Sequence, residues 1–242
     1  MIVQELQKNL PIAPRPLQLT QKTGLVIVDE IVGFARVAGG NLAPQKFNKQ
    51  IQNMIDETNR LARIFTELNW PILAFQDCHH PGKEEPPYPP HCEEGTGEEQ
   101  LVEELRWLEK DKNTRCLRKD CINGFIGSID HNGDNQFLNW LIQHGLKQII
   151  IVGICTDICV MDFVLTLLSA RNHGMTGDLK DIIVYERACA TYDLSPATAE
   201  SLGLPVTQSH PQDVTHHLGL YFMASRGALL ASDITLPQQV QR

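Results

Sequence analysis

The sequence predicts an α/β fold: a doubly wound, mostly parallel sheet with helices on both faces. Three observations lead there. Short β-branched runs, apolar throughout rather than alternating, recur along the chain, the pattern of strands buried on both faces. Segments with apolar residues at helical spacing lie between them. The chain of 242 residues, 42% of them hydrophobic, is long enough to bury one large core, and no repeat, low-complexity tract or polar linker divides it. We read residues 23–242 as one domain and residues 1–22 as an N-terminal extension.

The first strand is Gly24-Leu25-Val26-Ile27-Val28, closed by Asp29 and Glu30. After a Gly-rich loop, Pro44 is placed to open a helix whose apolar positions are Ile51, Met54, Ile55, Leu61, Phe65 and Leu68, and Trp70-Pro71 stops it. A second strand, Pro71 to Phe75, ends at Gln76-Asp77-Cys78-His79-His80 and enters a Pro-rich loop reaching about Gly97; a connection that long in a compact domain suggests function. Glu98 to Glu109 reads as a short helix, Thr114 to Arg118 as a strand, and Asn135 to His144 as a helix closed by Gly145. The strongest strand is Lys147 to Gly153, followed by a helix with Val160, Phe163, Val164, Leu167 and Leu168 on one stripe. A strand at Asp181 to Tyr185, a helix around Pro211 to Met223 and a strand at Ala228 to Ile234 complete an alternation that implies parallel pairing.

Charge and composition exclude several function classes. Lys and Arg number 21 against 29 Asp and Glu, a net −8, which opposes attraction to nucleic acid and to anionic membrane surfaces. The longest apolar stretch, Ile149 to Cys155, is far short of the ~20 residues of a spanning helix. The first twenty residues lack a secretory pattern, and seven cysteines, an odd number, read as reduced thiols. These features point to the cytoplasm, without barring entry to a nucleus.

In open parallel sheets, ligands bind beyond the carboxyl ends of the strands. Four chemically loaded segments fall there: Asp29, then Asp77-Cys78-His79-His80, then Arg118-Lys119-Asp120, then Gly153 to Cys159. Thr156 is placed to cap the following helix, which would put Cys159 near its N-terminus and acidify the thiol. Alone, Cys159 reads as a structural core cysteine, Asp29 as a local cap and Lys119 as a solvated side chain. Together they supply a carboxylate base, a cation and a nucleophile, as acyl transfer through a thioester requires. Cys155 and Cys159 have three residues between them, not the two of a thioredoxin-type redox pair. In the Pro-rich loop, Asp77, His79 and His91 form an O,N,N set suited to a divalent ion, with zinc, iron and manganese all open. His80 reads as a surface residue, and His216-His217 as part of a helix.

These residues fall in five motifs: GLVIVDEIVGF, FQDCHHP, YPPHCEEGT, RKDCINGF and VGICTDICV. In this order, and over about Gly24 to Asp233, the sequence resembles the isochorismatase-like cysteine hydrolases and, among them, the nicotinamidases of plant type. The resemblance implies a catalytic triad of Asp29, Lys119 and Cys159. It also implies a cis peptide between Ile154 and Cys155, and an oxyanion hole made by the backbone N–H groups of Cys155 and Cys159. Position 155 is usually a small residue such as Ala; here it is Cys. The metal ligands would be Asp77, His79 and His91, with Glu85 a further ligand in some members, and the ion most often zinc. Phe34 and Tyr88 would flank the substrate ring. The implied reaction is hydrolysis of nicotinamide to nicotinate and ammonia, a step of NAD salvage, in a family whose members are often homo-oligomers. The rivals are a cysteine amidohydrolase acting on a ureido or carbamoyl amide, which needs no metal, and a non-catalytic member that binds a metal or ligand.

Overall fold

The computed structural model describes residues 2–83 and 85–236. Its seven strands are β1 (Arg15–Gln18), β2 (Gly24–Val28), β3 (Ile72–Asp77), β4 (Thr114–Lys119), β5 (Gln148–Ile154), β6 (Asp181–Ala190) and β7 (Leu229–Thr235). They form one sheet in the order β1-β7-β6-β5-β2-β3-β4, with every pair parallel. The helices are α1 (Ile2–Asn9), α2 (Val32–Ala35), α3 (Lys49–Glu67), α4 (Gly124–Gly127), α5 (Gln136–Gln143), α6 (Met161–Asn172), α7 (Pro196–Ser201) and α8 (Gln212–Ser225). None among the described residues is long and apolar enough to cross a membrane.

From β2 the chain winds outward through β3 and β4, then returns to lay β5 on the other side of β2 and winds the opposite way. The order therefore reverses between β2 and β5, which opens a crevice at their carboxyl ends. Alternation along the buried strands divides the core. Leu25, Ile27, Ile72, Ala74, Ile150 and Val152 face α3 through Met54, Leu61 and Phe65. Val26, Val28, Leu73, Phe75, Ile149 and Ile151 face Phe137 and Trp140 of α5, Phe163 and Leu167 of α6 and Leu220 of α8. Neither face meets water, so the strands are continuously apolar.

Several expected boundaries move for local reasons. The helix expected from Pro44 starts at Lys49, because the Asn48 side chain accepts the Gln50 and Ile51 N–H groups and caps it there. The helix expected from Glu98 is a 3₁₀ turn over Glu103–Lys110. Its intended first turn is drawn into the loops instead: the Glu98 carbonyl accepts Gly33 N–H, and the Glu98 and Glu99 carboxylates accept the N–H groups of Cys92, Gly95 and Gly97. β6 runs on to Ala190, beyond the expected Tyr185, and so carries the chain to the sheet's carboxyl edge. The segment before residue 23 is bound to the domain: β1 pairs with β7, Leu19 is fully buried, and α1 lies along α8, where His217 Nε2 meets the Leu10 carbonyl oxygen at 2.9 Å.

Gly153 stands opposite Val28 at the crevice with φ +127°, and a Cβ there would lie 2.1 Å from the Val28 carbonyl oxygen. Gly145 has φ +60° but open space around it. Gly145→Ala should therefore cost only the ~1–2 kcal/mol of left-handed strain, whereas Gly153→Ala should add ~1–3 kcal/mol of overpacking; equal losses in urea unfolding would contradict this. Glu30 is fully buried, with Oε1 accepting the Thr58 hydroxyl and Oε2 unpartnered. Burial, only partly offset by Thr58, holds its carboxyl well above 4.5. A folded-state pKa above the unfolded value gives stability that is full below about pH 4.5 and is lost as pH rises toward the folded value. Wild-type Tm should therefore fall as pH rises above about 4.5, and Glu30→Gln should flatten that fall, as thermal denaturation at several pH values will reveal.

Candidate active site and metal centre

Three strands and one turn deliver the side chains to the crevice. Asp29 follows the last residue of β2 with φ +53°, a left-handed conformation Asp tolerates better than most residues. Its N–H bonds the Phe75 carbonyl at 3.1 Å, which fastens the turn to β3. Asp77 and Lys119 end β3 and β4 in direct register. Lys119 Nζ lies 2.8 Å from Asp29 Oδ2 and 2.8 Å from Asp77 Oδ1, and donates to the Cys121 carbonyl at 3.0 Å. Asp29, Asp77 and Lys119 are all buried. Neither oxygen of Asp29 receives a well-directed hydrogen bond, so its link to Lys119 is chiefly an ion pair.

The electrostatics reflect burial and this arrangement. Burial and the Asp77 charge push the Asp29 carboxyl up to about 6 against the pull of Lys119. Asp77 is driven well below the usual carboxylate range, because Lys119 and the two imidazoles outweigh its own burial. Burial would neutralise Lys119, but Asp29, Cys159 and Asp77 hold its ammonium charged, well above 10.5. Cys159 is 8% exposed and faces both Asp29 and Lys119.

The local structure around Cys159 corrects the expected acidification. Thr156–Val160 forms a π-helical turn before α6, with the Val160 N–H bonding the Cys155 carbonyl at 3.1 Å. Thr156 caps nothing; its hydroxyl meets His216 Nδ1 at 2.8 Å. Burial raises the Cys159 thiol well above 9, with Lys119 opposing and Asp29, Cys155 and Asp77 adding to the rise. Burial thus favours the neutral thiol of Cys159 over a preformed thiolate. The Ile154–Cys155 peptide is cis, as the resemblance implied. Burial also pushes the Cys155 thiol up to about 12.

Beside this set, Asp77, His79, Glu85 and His91 present ligand atoms that all lie within 4.8 Å of one another. Nε2 of His79 and Nε2 of His91 are 2.9 and 3.2 Å from Asp77 Oδ2, and 3.7 and 3.5 Å from Glu85 Oε2. A tetrahedral ion with bonds of about 2.1 Å needs ligand atoms roughly 3.4 Å apart, so these residues fit one. His91 Nδ1 bonds the Pro89 carbonyl at 2.8 Å, which leaves its Nε2 lone pair for the cluster. Glu85 Oε1 accepts the Ile122 N–H, tying the loop to the segment after Lys119. His80, by contrast, is exposed. Phe34 and Tyr88 lie on the His91 ring, with centroids 5.7 and 6.0 Å away.

The sequence thus points to residues that the fold brings together, but not to their supports. Glu98 and Glu99, which hold the loop backbone, have the pattern of helix starters. Asp157, within the VGICTDICV motif, is a further support: it accepts the Thr191 hydroxyl at 2.7 Å and pairs with His210 at 2.7 Å. His216 braces the π turn through Thr156.

Comparison with known proteins agrees with this geometry. The chain is 48% identical over 237 residues to Nicotinamidase 1 of Arabidopsis thaliana, covering 97% of this chain and 96% of that one. Its fold matches the crystal structure of nicotinamidase PncA from Bacillus subtilis with a TM-score of 0.65 at 22% identity, over 88% of this chain and 100% of that one. It also matches a pyrazinamidase of Pyrococcus horikoshii in complex with zinc, with a TM-score of 0.59 at 20% identity, over 90% and 99% of the two chains. The isochorismatase domain matches residues 23–204, and the chain belongs to that family.

Proposed function

We propose that this protein is a nicotinamidase: it hydrolyses nicotinamide to nicotinate and ammonia through a thioester on Cys159, in NAD salvage. One observation carries the reading. Lys119 joins the carboxylate that faces the thiol to the carboxylate shared by the metal ligands, so nucleophile and metal set form a single site. The likeness to the Arabidopsis nicotinamidase over nearly the whole of both chains supports the substrate.

Asp29 takes the Cys159 proton as the sulfur attacks the amide carbon, and Lys119 stays charged to steady the developing thiolate. The N–H groups of Cys155 and Cys159 stabilise the oxyanion. Asp29 returns its proton to the leaving nitrogen, which departs as ammonia. A water deprotonated by Asp29 then attacks the thioester, and nicotinate leaves as the thiol is restored. Phe34 and Tyr88 hold the ring. Asp77, His79 and His91, with Glu85, hold a divalent ion, zinc in the first instance and manganese or iron as alternatives; when bound, it supplies a Lewis-acid contact to the pyridine nitrogen that orients the ring. The metal set favours a pyridine amide over a ureido or carbamoyl substrate. The acidic surface and free thiols support a cytoplasmic location, and self-association is left to measurement.

Cys159→Ala should lower ammonia release by at least ~10³-fold while nicotinamide binding survives. Cys155→Ala, which keeps the backbone N–H, should cost no more than a few-fold; the opposite ranking would move the nucleophile to Cys155. Removing metal with a chelator should raise KM for nicotinamide and leave the reactivity of Cys159 toward iodoacetamide largely intact. Zinc, manganese or iron should restore KM, and turnover indifferent to chelation would remove the metal from the reaction.

A further inference from the structure

The chain between β6 and α8 enters the mechanism nowhere, yet it is fastened directly to the nucleophile's turn. Thr191, the residue after β6, donates its hydroxyl to Asp157 Oδ1 and its N–H to the Gln50 side chain. His210, at the far end of the same loop, places Nε2 2.7 Å from Asp157 Oδ2 and Nδ1 2.9 Å from the Tyr192 carbonyl oxygen. Leu194 and His210 close the base of the loop with two backbone hydrogen bonds. Asp157 thus grips both ends of the loop from two residues before Cys159. The product of this clamp is one aromatic contact: the Tyr192 and His210 rings stack face to face, with centroids 3.8 Å apart and planes 12° from parallel.

Ala190, the last residue of β6, stands in register with Ile154 of β5, so Thr191 and Tyr192 leave the sheet at its carboxyl edge, next to Cys155. The Tyr192 side chain is half withdrawn from water, and burial raises its phenol. A stacked partner fixes an aromatic ring at little entropic cost, because only two torsions need holding. His210 is itself held at both ring nitrogens, so the stack cannot slide. Cys159 has little exposure, and whatever reaches it must pass the side chains around it.

We propose that Tyr192 is a third aromatic wall of the substrate pocket, beside the nucleophile's turn, and that the Asp157–His210 clamp positions it to limit the size of ring substituents the site accepts. Tyr192 is a specificity-determining residue; His210 and Asp157 are positioning residues. The proposal rests on the reading of this crevice as a pyridine-amide site, but one of its tests does not.

The experiment compares Tyr192→Ala, Tyr192→Phe, His210→Ala and the double variant Tyr192→Ala/His210→Ala with the wild type. In Tyr192→Ala, KM for nicotinamide should rise about tenfold, as loss of one aromatic contact implies, with kcat within about threefold. The kcat/KM ratio of ring-methylated nicotinamide to nicotinamide should rise at least fivefold. Tyr192→Phe should keep wild-type values, since the wall needs only the ring. His210→Ala should shift KM in the same direction, and the double variant should be no worse than Tyr192→Ala. Separately, peptide mapping by mass spectrometry should show the rate of Cys159 alkylation by a bulky maleimide, relative to iodoacetamide, rising in Tyr192→Ala. Unchanged KM and an unchanged alkylation ratio in Tyr192→Ala would overturn the proposal, as would additive effects in the double variant. If the wild type releases no ammonia from nicotinamide, the substrate reading falls, and the alkylation ratio alone decides whether Tyr192 walls the nucleophile.

Discussion

The ammonium of Lys119 makes it possible for two carboxylates to be buried in one crevice. Asp29, Lys119 and Asp77 come from the ends of three adjacent strands, all of them shielded from water. Burying an ion costs several kcal/mol, recovered only where opposite charges meet in good geometry. Here Nζ meets an oxygen of each carboxylate at 2.8 Å. Asp77 then turns its other oxygen to the two imidazoles. The proposed nucleophilic and metal-binding halves therefore meet at Asp77, and neither half can shift without disturbing the other.

The sheet makes this convergence inexpensive. Parallel strands end on one edge, and the reversal of order between β2 and β5 separates the loops beyond them. Asp29 and the Cys159 turn thus face each other across the crevice, while β3 and β4, in register, set Asp77 beside Lys119. Gly153 lets β5 approach β2 closely at the end that matters. The loop after β3 has no such frame, and its proposed metal ligands are held instead by the Glu98 and Glu99 carboxylates and by the bond from Ile122 to Glu85.

What could be read from the sequence reflects which constraints are local. β2, β3 and β5 are legible because strands buried on both faces leave uniform apolar runs, and the ends of β2 and β3 locate Asp29 and Asp77 directly, while Lys119 closes β4, a half-buried edge strand. β1 is not, since Arg15–Gln18 is a short edge strand whose residues are mostly exposed. The acidic Cys159 was inferred from a helix N-terminus, a rule that holds for an open α-helical turn; the π turn and near-complete burial reverse its sign. Tyr192 and His210 carry no motif, and they meet through contacts across an irregular loop. The signal available was weak: an aromatic residue one step beyond a strand, on the edge where ligands bind.

In the proposed mechanism, the burial that raises the Cys159 thiol bears on how the reaction proceeds. With the thiol raised well above 9 and the carboxyl raised only to about 6, burial favours keeping the proton on sulfur before substrate arrives. Ionisation therefore has to be driven by the bond changes coupled to it: formation of the carbon–sulfur bond and transfer of the new charge to oxygen, where backbone N–H groups meet it. The carboxyl is then suited to its second duty. Raised toward neutrality by burial, it holds the proton long enough to hand it to the departing nitrogen, yet is ionised often enough to accept one at the start, as general catalysis near pH 7 demands. Lys119 restrains this rise, and without its charge the base would spend most of its time protonated. The ammonium that permits the burial also sets the proton affinity on which turnover depends.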